Sequence, residues 1–273
     1  MKKSTEHIMQ PISIPSAGNG TKPHVMCSYC EAAEHLSDLK EGMNLLELFA
    51  GSRSFGRNAE NMGCNVFSVD WEQYEGINLA IDIEFLQPEQ IPFIPDFIHL
   101  SPDCTTYTIA AISTHRNGTE PKSEYAKKCD RVNIHALKLV NHYLKLNPNL
   151  VFTIENPRGM MRKMPFMKGL PRATVWYCTY GDDRAKPTDI WSNNIYSLFN
   201  QNGWMPKSEC HNGNKHCHHE AAPRGSKTGT QGKKGSYERS KIPDALCIEI
   251  LEAAMLKFKT NAELKTDVWQ GAI

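Results

Sequence analysis

Two residues stand out for the chemistry their types and positions permit. Cys104 lies in His99-Leu100-Ser101-Pro102-Asp103-Cys104-Thr105-Thr106-Tyr107-Thr108, and Glu155 lies in Ile154-Glu155-Asn156-Pro157-Arg158-Gly159. Each follows a short apolar run, DFIHL at 96–100 and LVFTIE at 150–155, so each belongs at a strand end rather than inside a core. Most cysteines are small buried hydrophobes. A thiol on a loop, with a carboxyl at a neighbouring strand end, can instead form a covalent-catalysis pair. The residues alone leave open a structural thiol and a salt-bridged glutamate.

A second constellation lies upstream. The run NLLELFAG (44–51) reads as a buried strand entering a glycine turn, continued by Ser52-Arg53-Ser54-Phe55-Gly56. Gly51 permits a tight turn and a close approach of backbone to ligand. The pattern is not the G-x-G-x-x-G of dinucleotide sites. Asp70 ends the next strand, NVFSVD (65–70), where a carboxylate suits a ribose diol, and Trp71 offers a face for a planar base. Taken together, turn, acid and aromatic point to a nucleoside-type cofactor; taken singly, each is equally a strand-end cap or a packed aromatic.

The elements that must position these residues alternate. Strands are expected at 44–51, 65–70, 77–83, 96–100, 150–155 and 173–180. Helices are expected at 54–62 and 126–147, the latter with Ile134, Leu137, Val140, Tyr143 and Leu144 on one face. A further amphipathic helix covers 244–259, just after Pro243. The alternation implies an α/β fold with a mostly parallel sheet and helices on both faces. Ligands of such sheets bind beyond the carboxyl ends of the strands. Residues 1–40 form an N-terminal tail or cap, 41–192 the catalytic domain, 193–240 a small loop-rich contact region, and 241–273 a helix completing the catalytic domain.

The chain has 273 residues and a net charge of +1. Its charge is unevenly spread: 201–241 carries eight Lys/Arg against three Glu, and 157–172 carries five Lys/Arg and no acid. Two basic segments on a near-neutral chain suit a localised anionic partner such as a phosphate backbone, although solvated loops have the same composition. Nine cysteines, odd in number and scattered, fit a reducing compartment and hence the cytoplasm, the host's if the chain is phage-encoded. The opening MKKSTEHIMQPISIPSAG has lysines but no apolar run, so no signal peptide is expected, and no apolar stretch is long enough to span a membrane. A monomer is expected.

In order, LELFAGSRSFG, VDW, IDI, SPDCTTYT and ENPRG resemble the motif series of the DNA cytosine-5 methyltransferases, over roughly residues 44–192. The resemblance implies a Rossmann-like S-adenosylmethionine-dependent methyltransferase fold. It implies that Phe49, Gly51, Asp70, Trp71 and Asp82 hold the cofactor, with Ala50, Ser52, Phe55 and Ile83 in the same contact set. It also implies that Cys104 attacks cytosine C6 while Glu155 engages N3 and the exocyclic amine. A target base inside a duplex must first be flipped out. In such enzymes a variable segment before the last helix reads DNA, here roughly 193–240. Asn156, Arg158, Arg184, Lys186, Lys227 and Gln231 are the expected substrate contacts.

The departures are specific. Pro102-Asp103-Cys104-Thr105 stands for the usual Pro-Pro-Cys-Gln, Glu155-Asn156-Pro157 for Glu-Asn-Val, Arg184 and Lys186 for a Gln-x-Arg-x-Arg run, and Arg239-Ser240-Lys241-Ile242 for a Gly-Asn-x-Val segment. They resemble a compact phage-type branch. Asp103 should disfavour the Cys104 thiolate unless it points away or is paired. It keeps open a catalytically silent DNA-binding relative, alongside an RNA cytosine-5 methyltransferase. An amino-methyltransferase would leave Glu155 unexplained. Finally, Cys27-Ser28-Tyr29-Cys30 is a CxxC, and Cys210-His211 with His216-Cys217-His218-His219 is rich in zinc-ligand types. A structural zinc site joining Cys27 and Cys30 to Cys210, Cys217 or a histidine is therefore considered; its spacing matches no standard finger.

Overall fold

The computed structural model describes residues 42–193, 198–199, 203–211, 213–220 and 235–269. Expected contacts Lys227 and Gln231, and the CxxC cysteines Cys27 and Cys30, lie outside them.

In chain order the strands are β1 (Asn44–Leu48), β2 (Asn65–Asp70), β3 (Leu79–Ala80), β4 (Phe97–Leu100), β5 (Arg116–Asn117), β6 (Glu120–Pro121), β7 (Val151–Pro157), β8 (Arg172–Trp176) and β9 (Pro187–Ser192). The α-helices are α1 (Ser54–Asn61), α2 (Ile112–His115), α3 (Glu124–Leu146), α4 (Ser236–Ser240) and α5 (Asp244–Trp269). Seven strands form one sheet in the order β3-β2-β1-β4-β7-β9-β8, while β5 and β6 make a small separate hairpin. The first five are parallel; β9 runs antiparallel to both β7 and β8. The order reverses between β1 and β4, which is where open α/β sheets bind ligands. This is the anticipated α/β, Rossmann-like architecture with a mostly parallel sheet, in which one reversed strand, β9, is inserted between β7 and the edge strand β8.

Alternation along the strands sorts the core into two layers. Leu45, Phe97, Val151 and Ile190 face α1 and α5, packing with Phe55, Ala59, Leu246 and Ile250. Leu46, Leu48, Ile98, Leu100, Phe152 and Ile154 face α3, packing with Ala136, Leu139, Val140 and Tyr143. Ser123 caps α3 by accepting the Ala126 N–H at 3.1 Å. The buried face of α3 is rotated from the one expected: Ile134 is exposed, and Ala126, Cys129, Asn133 and Ala136 line the inner side.

Two expected strands differ. The 77–83 segment shrinks to two residues, because Asp82 caps a 3₁₀ turn at Ile83–Phe85 by accepting the Glu84 N–H. The 173–180 segment leaves strand geometry at Tyr177 and finishes as a 3₁₀ turn. The small β5–β6 hairpin was not expected, and within the main sheet the unforeseen strand is β9. Its Thr188, Asp189 and Ser192 are fully buried, so it lacks the apolar signature of an interior strand. Arg162 neutralises Asp189, and the Thr174 hydroxyl donates to the same carboxylate. Arg162 is thus spent inside the fold, while Arg158, Lys163, Lys168 and Arg172 of the same basic segment stay exposed.

A polar row crosses the sheet beneath the helices. Ser68, Glu47, His99, Thr153 and Ser192 are register neighbours on five adjacent strands, and all are buried. Glu47 accepts from the Gly56 N–H at 3.0 Å and the Ser68 hydroxyl at 2.8 Å. A Cβ on Gly56 would lie 2.4 Å from a Glu47 carboxylate oxygen, so glycine is required for this approach. Burial pushes the Glu47 carboxyl up to about 7 despite these hydrogen bonds. His99, stacked on Phe55 at 3.9 Å and hydrogen-bonded to Thr153 and Ser101, is held neutral by burial down to about 3.

A raised carboxyl favours the folded state most below its ordinary value of 4.5 and loses that contribution as pH rises through about 7. The stability advantage of wild type over Glu47→Gln should therefore shrink across that window, by up to about 3 kcal/mol. Thermal midpoints of both proteins between about pH 4.5 and 8 test this; a constant difference contradicts it.

Candidate functional site

The turn after β1 is built from alternating left-handed residues: Phe49 (φ 57°), Gly51 (φ 47°) and Arg53 (φ 52°). Non-glycine residues pay for that conformation, and such strain concentrates where backbone must meet a ligand. Asp70 fastens the turn by accepting the Gly51 N–H at 2.9 Å, and its other oxygen accepts the Glu72 N–H at 3.1 Å. Burial raises the Asp70 carboxyl, with these N–H groups opposing. Trp71 is 72% exposed, its indole uncovered at the rim of the site.

Phe49, Trp71, Asp82 and Ile83 line one cleft of about 260 Å³, together with Asp103, Tyr125, Lys128 and part of α3. Residues expected to share a cofactor, from three separate segments, thus meet in one cavity beside the cysteine loop. For Asp82, burial disfavours ionisation, but the Lys128 ammonium at 2.6 Å and the Glu84 N–H outweigh it and hold the carboxyl below its ordinary range. Ala50 is buried in the turn, its N–H bonded to the Val69 carbonyl. Two expected contacts point elsewhere. Phe55 is 1% exposed and stacks on Phe97 and His99 in the core, and the Ser52 hydroxyl is bonded to that of Ser54. The α1 register turns Phe55 away from the cleft, and Ser52 lies in the turn before that helix.

Cys104 starts the 3₁₀ turn Thr105–Tyr107 just beyond β4. That turn is held from three sides. Arg116 donates to the Thr106 carbonyl and hydroxyl, and pairs with Asp130; the Tyr107 hydroxyl donates to Asp130 and accepts from Asn133. The Asn156 amide on β7 donates to the Pro102 carbonyl at 2.9 Å. A Cβ on Gly159 would lie 2.3 Å from the Tyr107 carbonyl oxygen, so the two loops touch backbone to backbone there. Asn156 is fully buried, and its side-chain carbonyl oxygen has no hydrogen-bond partner.

On β7, the Glu155 carboxylate accepts the Tyr177 hydroxyl at 2.7 Å and has Lys186 at 3.8 Å. The Lys186 ammonium also lies 4.6 Å over the Tyr177 ring. Asp103 turns outward: it accepts the Thr105 N–H at 2.6 Å and the Tyr125 hydroxyl at 2.8 Å. Burial is the largest influence on the Cys104 thiol and pushes it up to about 11; Lys186 opposes this, and Asp103 and Glu155 add to it. Thiol, carboxyl and ammonium thus act on one another at adjacent strand ends. Pairing of Asp103 reduces its expected effect without abolishing it.

Arg184, expected to contact substrate, is 1% exposed. Its guanidinium is paired with Asp182 and donates to the Arg239 and Lys241 carbonyls. It fastens the segment preceding α5 and has no donor turned to a phosphate. Arg158 is exposed over the Trp176 ring. Of the residues considered for zinc, Cys210 and Cys217 lie together with Cys178 and His219, while Cys27 and Cys30 lie outside the described residues. Tyr177, Arg116 and Cys178 were missed because each sits in a run that reads as ordinary core or turn.

No protein-family model matches the sequence, and no curated protein does. Among solved structures, the Entamoeba histolytica methyltransferase EhMeth is 14% identical, with a TM-score of 0.42 over 63% of this chain and 58% of its own. A Spodoptera frugiperda DNMT2 mutant is 16% identical, with a TM-score of 0.42 over 62% and 54%. TrmN from Thermus thermophilus is 16% identical, with a TM-score of 0.35 over 59% and 46%. The chain therefore spans about half the length of these structures, and the fold assignment rests on its strand order.

Alkylation of Cys104 by iodoacetamide, followed by peptide mass spectrometry, should be slow at neutral pH and rise about tenfold per pH unit toward about pH 10. Lys186→Gln should slow it further, because a cation favouring the thiolate is gone. A rate already level above about pH 7 contradicts this. Gly159→Ala should cost about 1–3 kcal/mol in denaturant unfolding, since backbone must shift to admit the methyl group; no measurable loss would show that the loops do not meet as described.

Proposed function

We propose that this chain is an S-adenosylmethionine-dependent methyltransferase acting on C5 of cytosine in DNA, with Cys104 as nucleophile and Glu155 as its partner acid. The observation that carries the reading is the meeting of two sites: the cleft lined by Phe49, Trp71, Asp82 and Ile83 includes Asp103, next to Cys104, and Asn156 joins the Cys104 loop to the Glu155 strand.

The residues fit a nucleoside cofactor. Asp82 offers a carboxylate in the cleft for a hydroxyl or an amine, Asp70 holds the turn that carries Gly51, and Trp71 offers an uncovered aromatic face. When bound, S-adenosylmethionine supplies the electrophilic methyl group that an activated C5 accepts. The protein's share is to make C5 nucleophilic. The Cys104 thiol gives up its proton to solvent as Sγ bonds to C6, and the displaced ring electrons are taken up by a proton that the Glu155 acid delivers at N3. Once C5 carries the methyl group, solvent accepts the C5 proton, N3 returns its proton to Glu155, and the C6–S bond breaks to release the thiolate and restore the ring. Tyr177 and Lys186 hold the Glu155 carboxylate in place, and Lys186 favours the thiolate. A half-buried thiol held well above its ordinary value reacts slowly with adventitious electrophiles until substrate arrives. The exposed Arg158, Lys163, Lys168 and Arg172 supply positive charge for phosphates.

Methyl transfer from radiolabelled cofactor to DNA and to transfer RNA, using wild type, Cys104→Ala and Glu155→Gln, tests the reading. Label at cytosine C5 of DNA, abolished by Cys104→Ala and reduced at least about a hundredfold by Glu155→Gln, is expected. Label in transfer RNA alone replaces the substrate and keeps the chemistry. No label in either, with cofactor binding intact, overturns the enzyme reading in favour of a silent nucleic-acid-binding protein. Trp71→Ala should weaken cofactor binding about tenfold by calorimetry; unchanged affinity removes Trp71 from that site.

A further inference from the structure

Away from the cleft, three thiols and an imidazole converge. The ligand atoms of Cys178, Cys210, Cys217 and His219 all lie within 4.8 Å of one another. Cys178 comes from the 3₁₀ turn after β8; the other three come from the segment preceding α4. Around zinc, a tetrahedron of three sulfurs and one nitrogen has edges of about 3.5–3.8 Å, so a small contraction of the four side chains completes the set.

The surroundings make this more than a coincidence of cysteines. Among the described residues, 203–220 contain no helix or strand. Irregular segments of such length in a compact fold need something to hold them. One end is anchored: Trp204 is buried in the main core and donates to Glu249, and the Lys207 N–H donates to the Tyr180 hydroxyl. The other end rests on a satellite cluster of only Trp176, Cys178, Ala185 and Cys210, with Cys217 beside it, too little apolar surface to fix a loop. A turn presents the ligands: the Asn214 N–H donates to the His211 carbonyl, the Cys217 N–H to the Asn214 carbonyl, and the Asn214 amide to the Cys210 sulfur at 3.5 Å. An N–H donated to a ligating sulfur is the support that metal thiolates take from their surroundings. With three thiols, a single disulfide would leave one sulfur and the histidine unexplained.

We propose that Cys178, Cys210, Cys217 and His219 bind one structural zinc ion that clips the 203–220 segment to the turn after β8. Four protein ligands close the coordination shell, so the ion has no open position for catalysis. Cys178 immediately follows Tyr177, which holds Glu155, so the clip ties the basic segment to the strand bearing the proposed acid. The proposal is independent of which nucleic acid, if any, is methylated.

Metal analysis of the full-length chain, purified without chelator from zinc-replete cells, should give about one zinc per chain. Cys217→Ser and His219→Ala should lose it, His219→Cys should keep it, and the double variant Cys27→Ser/Cys30→Ser should keep it. Should the ligand variants prove insoluble, wild type still decides: titration with a mercurial in the presence of a zinc indicator should release one zinc as thiols react. Cobalt substitution should give the visible bands and thiolate charge transfer of a tetrahedral site. Protein without stoichiometric zinc, iron in its place, or zinc lost with Cys27 and Cys30 but retained without Cys217 overturns the proposal.

Discussion

The in-register parallel pairing of β4 with β7 is the constraint on which the candidate site depends. Phe97 to Leu100 run beside Val151 to Ile154, so the segments leaving the two strands emerge side by side. Parallel neighbours deliver their carboxyl ends to the same edge, and the switch in strand order between β1 and β4 opens a crevice there. The Asn156 amide bonded to the Pro102 carbonyl, and Gly159 against the Tyr107 carbonyl, convert that proximity into a fixed geometry. A thiol 51 positions from its partner carboxyl in the chain becomes its electrostatic neighbour.

Much of the remaining polar machinery serves that seam. Arg116 and Asp130 grip the turn carrying Cys104 from the α3 side, and Tyr177 and Lys186 grip Glu155 from the other. The polar row from Ser68 to Ser192 lies beneath, where hydrophobic residues would be the default. Buried polar groups are tolerable only when paired, and these are paired along the sheet. Their neighbours must therefore be small or polar at defined positions, which is why Gly56 sits against Glu47. Such a layer gives register specificity at some cost in stability.

The two basic segments illustrate how charge counts translate into surfaces. Arg162 neutralises buried Asp189, and Arg184, which lies between the two segments, is likewise taken up by Asp182 and two carbonyls. Lys207 pairs with Glu249. Among the described residues of the two segments, Arg158, Lys163, Lys168, Arg172 and Lys215 stay exposed. A charge count cannot distinguish an arginine that holds a loop from one that meets a phosphate, because both contribute equally to it.

Local pattern alone found the strands read at 44–51, 65–70 and 96–100 and the long helix read at 126–147, and it placed Asp70 at the end of its strand and Cys104 on the loop beyond another; β7 runs two residues past Glu155. Those signals are short-range: apolar runs, helical spacing and a glycine turn. The tertiary structure alone decided which polar residues are interior. Strand β9 was hidden because its buried Thr188, Asp189 and Ser192 are satisfied by partners distant in sequence. Phe55 went to the core through helix register, and Cys178 joined Cys210, Cys217 and His219 because the turn after β8 meets a loop more than 30 residues on. Sequence spacing records what neighbours along the chain can do together. Hydrogen-bond satisfaction and ligand clustering are settled between segments that only folding brings into contact.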